Sequence, residues 1–529
     1  MKKNLFVTLF VLFAGFNLFS QSMFQKIFEK DYTTVYGAQQ NSDGTYIMAG
    51  LHQVSATDFD YLAVKLSAVG DTLWTKTYGG IGDEESYAMQ QTTDGGYIFA
   101  GIDSSSGLGN YNIYLVKTNF SGDTLWTRSY GGSNADFAQA VQQTADGGYI
   151  VAGYTSSFGA GNNDVYLLKT DANGNLTWSK TYGGVNGDYA FAVKQTTDGG
   201  YILSGITSSF GISPYGNIND VYVLKTDASG NLSWSKTYGQ DGDDWSFGIV
   251  QNNDGGYTLT GHTNTDSTAA LSDVYLIKTD ANGDTLFTKS YGGTNYDKGT
   301  ALLQVSDSGF VITGSTYSFG HGSSDIYFIK TDKNGAILAN STFGGGGNDW
   351  AYTISQANDG GYTLAGYTDN FGVSNSSFYF VKTDNYGSGN NCNQINSATV
   401  TANTKTKISN PGTITNTPAT LTRKNTFTKI NSGVSVIDLC LLSTGIKQAS
   451  SQTAFTVYPN PSNGNFTIST ADLKENTQLT IYNQLGQLIL SKQLNTSLTN
   501  INLDINAGVY QVRVLNGNEV IYQAKIIKE

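Results

Sequence analysis

The chain has 529 residues and a formal net charge of −12, with 63 glycines, 34 tyrosines, five prolines and only 14% charged side chains. That length exceeds a single hydrophobic core and leaves room for two or three domains, all-β by composition. The acidic balance argues against nucleic acid or anionic lipid as a partner, because no basic stripe is present to neutralise phosphate.

Residues 1–20 read as a secretory signal peptide: Lys2 and Lys3 form the basic start, Leu5 to Phe16 the apolar stretch, and Ser20 a small residue before a cut at Gln21. No cysteine follows the cut, so a lipoprotein anchor is not expected. No later run approaches the ~18 apolar residues of a transmembrane helix, so none is expected in the mature chain.

Residues 21–387 are built from one repeat of about 52 residues, represented by Gln142 to Gly184. An Asp-Gly-Gly-Tyr turn or a near variant starts at Asp43, Asp94, Asp146, Asp198, Asp254, Asp307 and Asp359, which counts seven copies. A Gln precedes each turn by three residues (Gln143 in the third copy). A Lys closes each third strand (Lys169), and a Gly follows it by five residues (Gly174). Four strands are expected per copy. The first carries small residues where strands would crowd together: Gly37, Ala88, Ala140, Ala192, Gly248, Ala301 and Thr353. Asp146-Gly147 is expected to form a two-residue hairpin. The second and third strands are apolar on both faces, as in a sheet covered on both sides. The fourth alternates Leu176, Trp178, Lys180 and Tyr182 with Ser and Thr, and reads as a half-exposed outer edge guarded by Lys180.

Seven four-stranded units predict a seven-bladed β-propeller; a linear solenoid is the other option. The chain ends decide between them. The seventh copy stops after Phe378 to Asp384 without a fourth strand, while Phe24, Lys26 and Phe28 align with Trp74, Lys76 and Tyr78 of a fourth strand. The N-terminal strand is therefore expected to close the ring.

Residues 388–453 are rich in Thr, Ser and Asn and read as a linker with some extended structure. They hold both cysteines, Cys392 and Cys440, which can pair in an oxidising compartment. From 454 to 529 short strands return and suggest a small β-sandwich. Here Tyr458-Pro459-Asn460-Pro461 with Gly464, then Gly486, Gly508, Tyr510 and the closing Lys525 and Lys528, resemble the type A C-terminal sorting domain of type IX secretion. The resemblance implies a Gram-negative bacterium of the Bacteroidetes type, the type IX machinery as a partner, and release or attachment at the outer-membrane surface.

Variable loops between the second and third strands, and between copies, share one face, which is where binding is usually placed. That face is acidic. Glu84, Asp136, Asp188, Asp244, Asp297 and Asp349 stand ten residues before their turns, and Asp60, Asp164, Asp220, Asp273 and Asp325 open third strands. They could bind Ca²⁺, but a residue repeated in nearly every copy serves the copy, and capping of loop amides is the favoured reading. Asp280, Asn282 and Asp284 mimic a calcium loop yet lack its following Gly and distal Glu, so no cofactor is expected. A single active site would need unrepeated residues, and the few on offer are Glu85, Asp243, Asp244 and His262. The expectation is a secreted or surface-displayed binding propeller that recognises a glycan or a protein through the variable-loop face. The alternative is a glycan-active hydrolase or lyase using those carboxylates.

Overall fold

The computed structural model describes residues 23–528, apart from 30–31, 212–217, 265–270, 374, 390–393, the connections between the short strands of 394–438, 439–454, and the turns 459–463, 471–476, 483–487, 504–507 and 517–518. The signal peptide, Cys392, Cys440, Pro459, Asn460, Pro461 and Gly486 lie outside the described residues. The described chain is all strand and turn, and it divides into one unit up to Cys440 and a second from Leu441.

The first unit is the expected seven-bladed propeller. In blade three, Asp136–Gln143, Tyr149–Thr155, Asp164–Thr170 and Leu176–Gly183 pair antiparallel in that order, and the other blades repeat the pattern. The second and third strands are buried on both faces: Tyr149, Ile150, Val151 and Ala152 are all within 1% of full burial. This is why they read as continuous apolar runs. The Asp-Gly hairpin differs from expectation. Gly147 N donates to Thr144 O at 2.9 Å and Thr144 N to Gly148 O, so the loop has three residues. Gly147 alone takes a positive φ (83°), which is the bulged three-residue hairpin and not the two-residue turn with two left-handed positions.

Ring closure follows the sequence expectation. Phe24–Glu29 pairs with the third strand of blade seven, Phe24 opposite Lys382 and Phe28 opposite Phe378. Phe24, Ile27 and Phe28 enter the core there.

Each first strand carries a β-bulge at its fourth residue, seen in blade three as the register shift between Ala138 and Ala140. The same shift recurs in all seven blades. A bulge inserts one unpaired residue and re-aims its side chain. Here it does so toward the axis of the ring.

The outer edge is not free. Short strands at Gln394–Ile395, Val400–Asn403, Lys407–Ser409, Ile414–Asn416, Leu421–Asn425, Lys429–Ile430 and Ser435–Asp438 each pair antiparallel with one outer strand. They visit blades six, five, four, three, two, one and seven in turn, against the chain order of the blades. In blade three the fifth strand covers only Thr181, Tyr182 and Gly183, the half of the outer strand where Ser179, Thr181 and Tyr182 are buried. The segment expected as a linker thus forms a belt, and Lys180 lies beside the belt strand's end. The last belt strand pairs with Lys26–Glu29, so the closing strand is hydrogen-bonded on both sides.

The second unit is a β-sandwich of a three-stranded sheet (Phe455–Tyr458, Asn465–Thr470, Leu498–Asn502) and a four-stranded sheet (Thr477–Tyr482, Leu488–Gln493, Gly508–Asn516, Glu519–Lys528). Phe466, Ile468, Leu479, Ile481, Val512, Val514 and Ile526 fill its core.

Candidate functional site

The repeated polar residues build the joints between blades. The Gln of one blade accepts from the turn amide of the blade before it: Thr93 N to Gln143 Oε1 at 2.8 Å and Ala145 N to Gln195 Oε1 at 2.9 Å. In blades two to five and seven the repeated Lys runs along the sheet with its ammonium on the turn carboxylate, Lys169 to Asp146 at 2.9 Å, whereas in blade six Lys330 Nζ donates to Asn385 O at 2.9 Å. The repeated Gly of the second turn receives the neighbouring outer strand. Tyr130 Oη donates to Gly174 O at 2.6 Å while Trp126 packs on its Cα face.

The acidic face is accounted for in the same way. Gly132 N donates to Asp136 at 2.7 Å, Gly184 N to Asp188 at 2.8 Å, and Gly345 N to Asp349 at 2.9 Å. In five joints the third-strand carboxylate of one blade meets the first-strand carboxylate of the next around the Gly that ends the outer strand, and between blades two and three Asn112 takes the first of these places; a Cβ on Gly183 would run into both Asp164 and Asp188. Burial raises these carboxyls, and their mutual repulsion adds to it. Asp325 is pushed up to about 7 with Asp349 beside it, and Asp273 to about 6 with Asp297. Among the described residues no three of His, Cys, Asp and Glu group as metal ligands would.

The unrepeated candidates do not converge. Asp244 belongs to the joint set: it accepts from Gln240 N at 2.7 Å and burial, with Asp220 and Asp243 adding, pushes it up to about 8. Asp243 is exposed and accepts from Asn219 N at 3.1 Å and Asn219 Nδ2 at 3.0 Å. Glu85 lies in blade two and accepts from Tyr87 Oη at 2.5 Å; burial raises its carboxyl. His262 in blade five is buried against Trp245 (5.6 Å, 23°) and Phe247 (5.8 Å). Burial, with Lys298 adding, pushes its imidazolium down to about 3, so the ring is neutral at physiological pH.

A different set of residues forms the concave site. The first strands surround a central channel of about 480 Å³. Small residues line part of it, as expected: Gly37, Ala88, Ala140, Ala192, Gly248, Ala301 and Thr353. Next to each stands the bulge residue, and all seven of these line the channel as well: Tyr36, Tyr87, Gln139, Phe191, Phe247, Thr300 and Tyr352. Two residues earlier on each strand, toward the variable-loop face, come Thr34, Glu85, Phe137, Tyr189, Trp245, Lys298 and Trp350. Together they make an aromatic collar. One arc runs through Tyr87, Tyr36, Tyr352, Tyr367, Trp350 and Tyr317, with centroids 4.8–6.3 Å apart. The other runs through Tyr111, Phe137, Tyr154, Tyr189, Phe191, Trp245 and Phe247, at 4.6–6.5 Å. Burial raises the phenols of Tyr36, Tyr87, Tyr111 and Tyr352, and those of Tyr154 and Tyr367 to about 12, so these hydroxyls remain neutral donors. Lys298 and Glu85 interrupt the collar from blades six and two, three steps apart in a ring of seven.

In the second unit the strand registers bring the sorting-motif residues together. Gly508 pairs with Lys528, Tyr510 with Ile526 and Gln511 with Lys525. Tyr510 is buried in the sandwich core. Lys528 Nζ donates to Leu503 O at 3.1 Å, and Leu503 N donates to Gly464 O at 2.8 Å. Tyr458 ends its strand half exposed.

The family model for the secretion system C-terminal sorting domain matches residues 456–529. No curated protein matches the chain. Among solved structures, the chain is similar to PorZ, a surface component of the type IX secretion system of Porphyromonas gingivalis, at 12% identity and a TM-score of 0.36. That match covers 92% of this chain and 58% of PorZ, so the chain spans little more than half of PorZ's length. It is also similar to Sqt1 of Chaetomium thermophilum, at 9% identity and a TM-score of 0.39, covering 69% of this chain and 99% of Sqt1. The matched tail at residues 456–529 gives the chain a type IX sorting domain after its propeller, and the protein is secreted or displayed at the bacterial surface. Among the described residues no helix is long and apolar enough to cross a membrane.

Proposed function

We propose that the exported propeller is a saccharide-binding module whose site is the aromatic collar at the variable-loop mouth of the channel. The observation that carries this reading is the collar itself. Its rings come from positions where the seven copies differ, so the fold does not need them. Flat aromatic faces with neutral hydroxyls at their edges suit sugars, which present C–H faces and peripheral hydroxyls. The concave volume favours a saccharide over a folded protein, which usually needs about 800 Å² of matching surface on each partner. The hydrolase or lyase reading named Glu85, Asp243 and Asp244. Asp244 caps a loop amide, and Glu85 lies three blades from the other two, so they make no pair across one scissile bond.

The test is a glycan array on the mature protein followed by calorimetry on the best ligands. Trp350→Ala and Phe247→Ala should each weaken binding at least ten-fold with the melting temperature nearly unchanged. Binding indifferent to both substitutions would place the site elsewhere.

A further inference from the structure

Lys298 is the one cation of its tier of the collar, and its surroundings are those of a cation without a counterion. Its position is occupied in the other blades by Thr34, Glu85, Phe137, Tyr189, Trp245 and Trp350. The side chain lines the channel, half buried, with its ammonium 5.8 Å from the Trp350 ring centroid. Among the described residues no carboxylate forms a salt bridge with it, whereas the repeated lysines of the hairpins sit on their aspartates at 2.8–2.9 Å in blades two to five and seven. Its neighbour His262 is neutral and offers no negative charge. A desolvated ammonium held only by ring faces is costly, and an incoming anion relieves that cost. Across the channel stands Glu85, tied by the Tyr87 hydroxyl at 2.5 Å. The collar is thus polar end to end, with a cation on the blade-six side and a carboxylate on the blade-two side.

Building on the saccharide reading, we infer that Lys298 is an anion subsite and that the collar selects an acidic saccharide, one whose sugar ring stacks on Trp350 or Trp245 and carries a carboxylate. Glu85 turns the acidic unit away from blade two by like-charge repulsion and so sets the direction in which the oligosaccharide lies. A charge-assisted hydrogen bond from Lys298 in this partly desolvated site carries the discrimination.

The experiment titrates the mature full chain with three probes: an oligogalacturonide, its methyl ester, and a sulfated neutral oligosaccharide of similar length. Lys298→Gln and Lys298→Arg are compared with the unaltered protein, with melting curves for each. The expected result is at least ten-fold preference for the free acid over the methyl ester, falling as salt is raised. That preference should vanish in Lys298→Gln and survive in Lys298→Arg. A preference that persists in Lys298→Gln overturns the subsite while the saccharide reading stands. Tighter binding of the sulfated probe than of the oligogalacturonide overturns the carboxylate assignment in favour of a sulfate ester. No binding of any of the three probes overturns the inference, and the glycan array then decides the saccharide reading separately.

Discussion

The blade joints and the channel mouth are built on the same seven first strands and obey opposite rules. Residue one of the strand is acidic in six blades and residue eight is Gln in all seven. Both face the preceding blade and are spent on backbone amides there. Residues two and four face the axis, and they read Thr, Glu, Phe, Tyr, Trp, Lys, Trp and Tyr, Tyr, Gln, Phe, Phe, Thr, Tyr. Copying marks what holds the ring together, and divergence marks what the ring presents. The joint closing the ring departs from the others in a telling way. Ser377 and Thr33 stand where five of the other six joints place two acidic residues and the sixth places Asn112 and Asp136, Phe378 N donates to Thr33 Oγ1 at 3.2 Å, and Phe28, like Phe343 in blade six, stands in place of the outer-strand Tyr. That joint is assembled from the two ends of the propeller, and no buried carboxylate pair has to be desolvated in making it.

Failure of ring closure should do the most damage to the propeller. Deleting residues 22–28 removes Phe24, Ile27 and Phe28 from the core and strips the third strand of blade seven and the last belt strand of their shared partner. At about 1.5–3 kcal/mol for each buried side chain, the loss rivals the whole stability of an ordinary domain. The expected outcome is a fall of more than 10 °C in melting temperature with a larger hydrodynamic radius. An unchanged melting curve would sink the closed-ring account.

A smaller effect separates local strain from the joint itself. Gly147 and Gly174 both have positive φ, 83° and 73°, but a Cβ on Gly147 meets open space while one on Gly174 comes within 2.8 Å of Trp126. Gly147→Ala should cost about 1–2 kcal/mol for the backbone alone. Gly174→Ala should cost roughly 2–5 kcal/mol, because the indole of the preceding blade must move as well. Equal costs in denaturant melts would mean that the Gly is needed only for its turn.

Much of this was legible in the sequence. The blade count, the closing strand, the amide-capping carboxylates and the inter-blade Gln are seen seven times or nearly so, and repetition makes their jobs plain. The collar was hidden by the bulge. A strict two-residue alternation assigns Tyr36 and Gly37 to opposite faces, whereas the unpaired fourth residue brings both to the channel. The signal that could have found it is the variability seven and nine residues before each turn Asp. The belt was hidden by brevity. Its strands begin at 400, 407, 414 and 421, seven residues apart, but runs of two to five residues give no window for a strand period. Replacing 394–438 with a Gly/Ser stretch of equal length should therefore lower the melting temperature by about 3–8 °C. It should also promote self-association in sedimentation velocity, since seven outer edges lose their fifth strand. A monomeric variant with an unaltered melt would show the belt to be dispensable.

The smallest effect divides the two kinds of carboxylate in the joints by pH. The buried pairs are raised: Asp244 to about 8, Glu84 and Asp325 to about 7, Asp273 and Asp349 to about 6. The folded state holds these protons to higher pH than the unfolded chain does, so between roughly pH 4 and 8 it binds more protons and stability falls as pH rises. The hairpin aspartates run the other way. Burial pushes Asp146 up, but the Thr144 hydroxyl, Lys169 and the Gly148 amide outweigh it and hold the carboxyl down at about 2. Asp198 is held likewise by Lys225, Thr196 and Gly200. Their contribution is present above the ordinary carboxyl range and is lost as pH falls from about 4 to 2. Melting temperature should therefore peak near pH 4–5 and decline by about 2–5 °C toward pH 8. Asp244→Asn, whose side-chain oxygen still accepts from Gln240 N, should flatten that decline without touching the acid limb. A melting temperature that climbs steadily to pH 8 would mean that the joint carboxylates are ionised throughout, and that the blades meet across charges the protein has some other way of balancing.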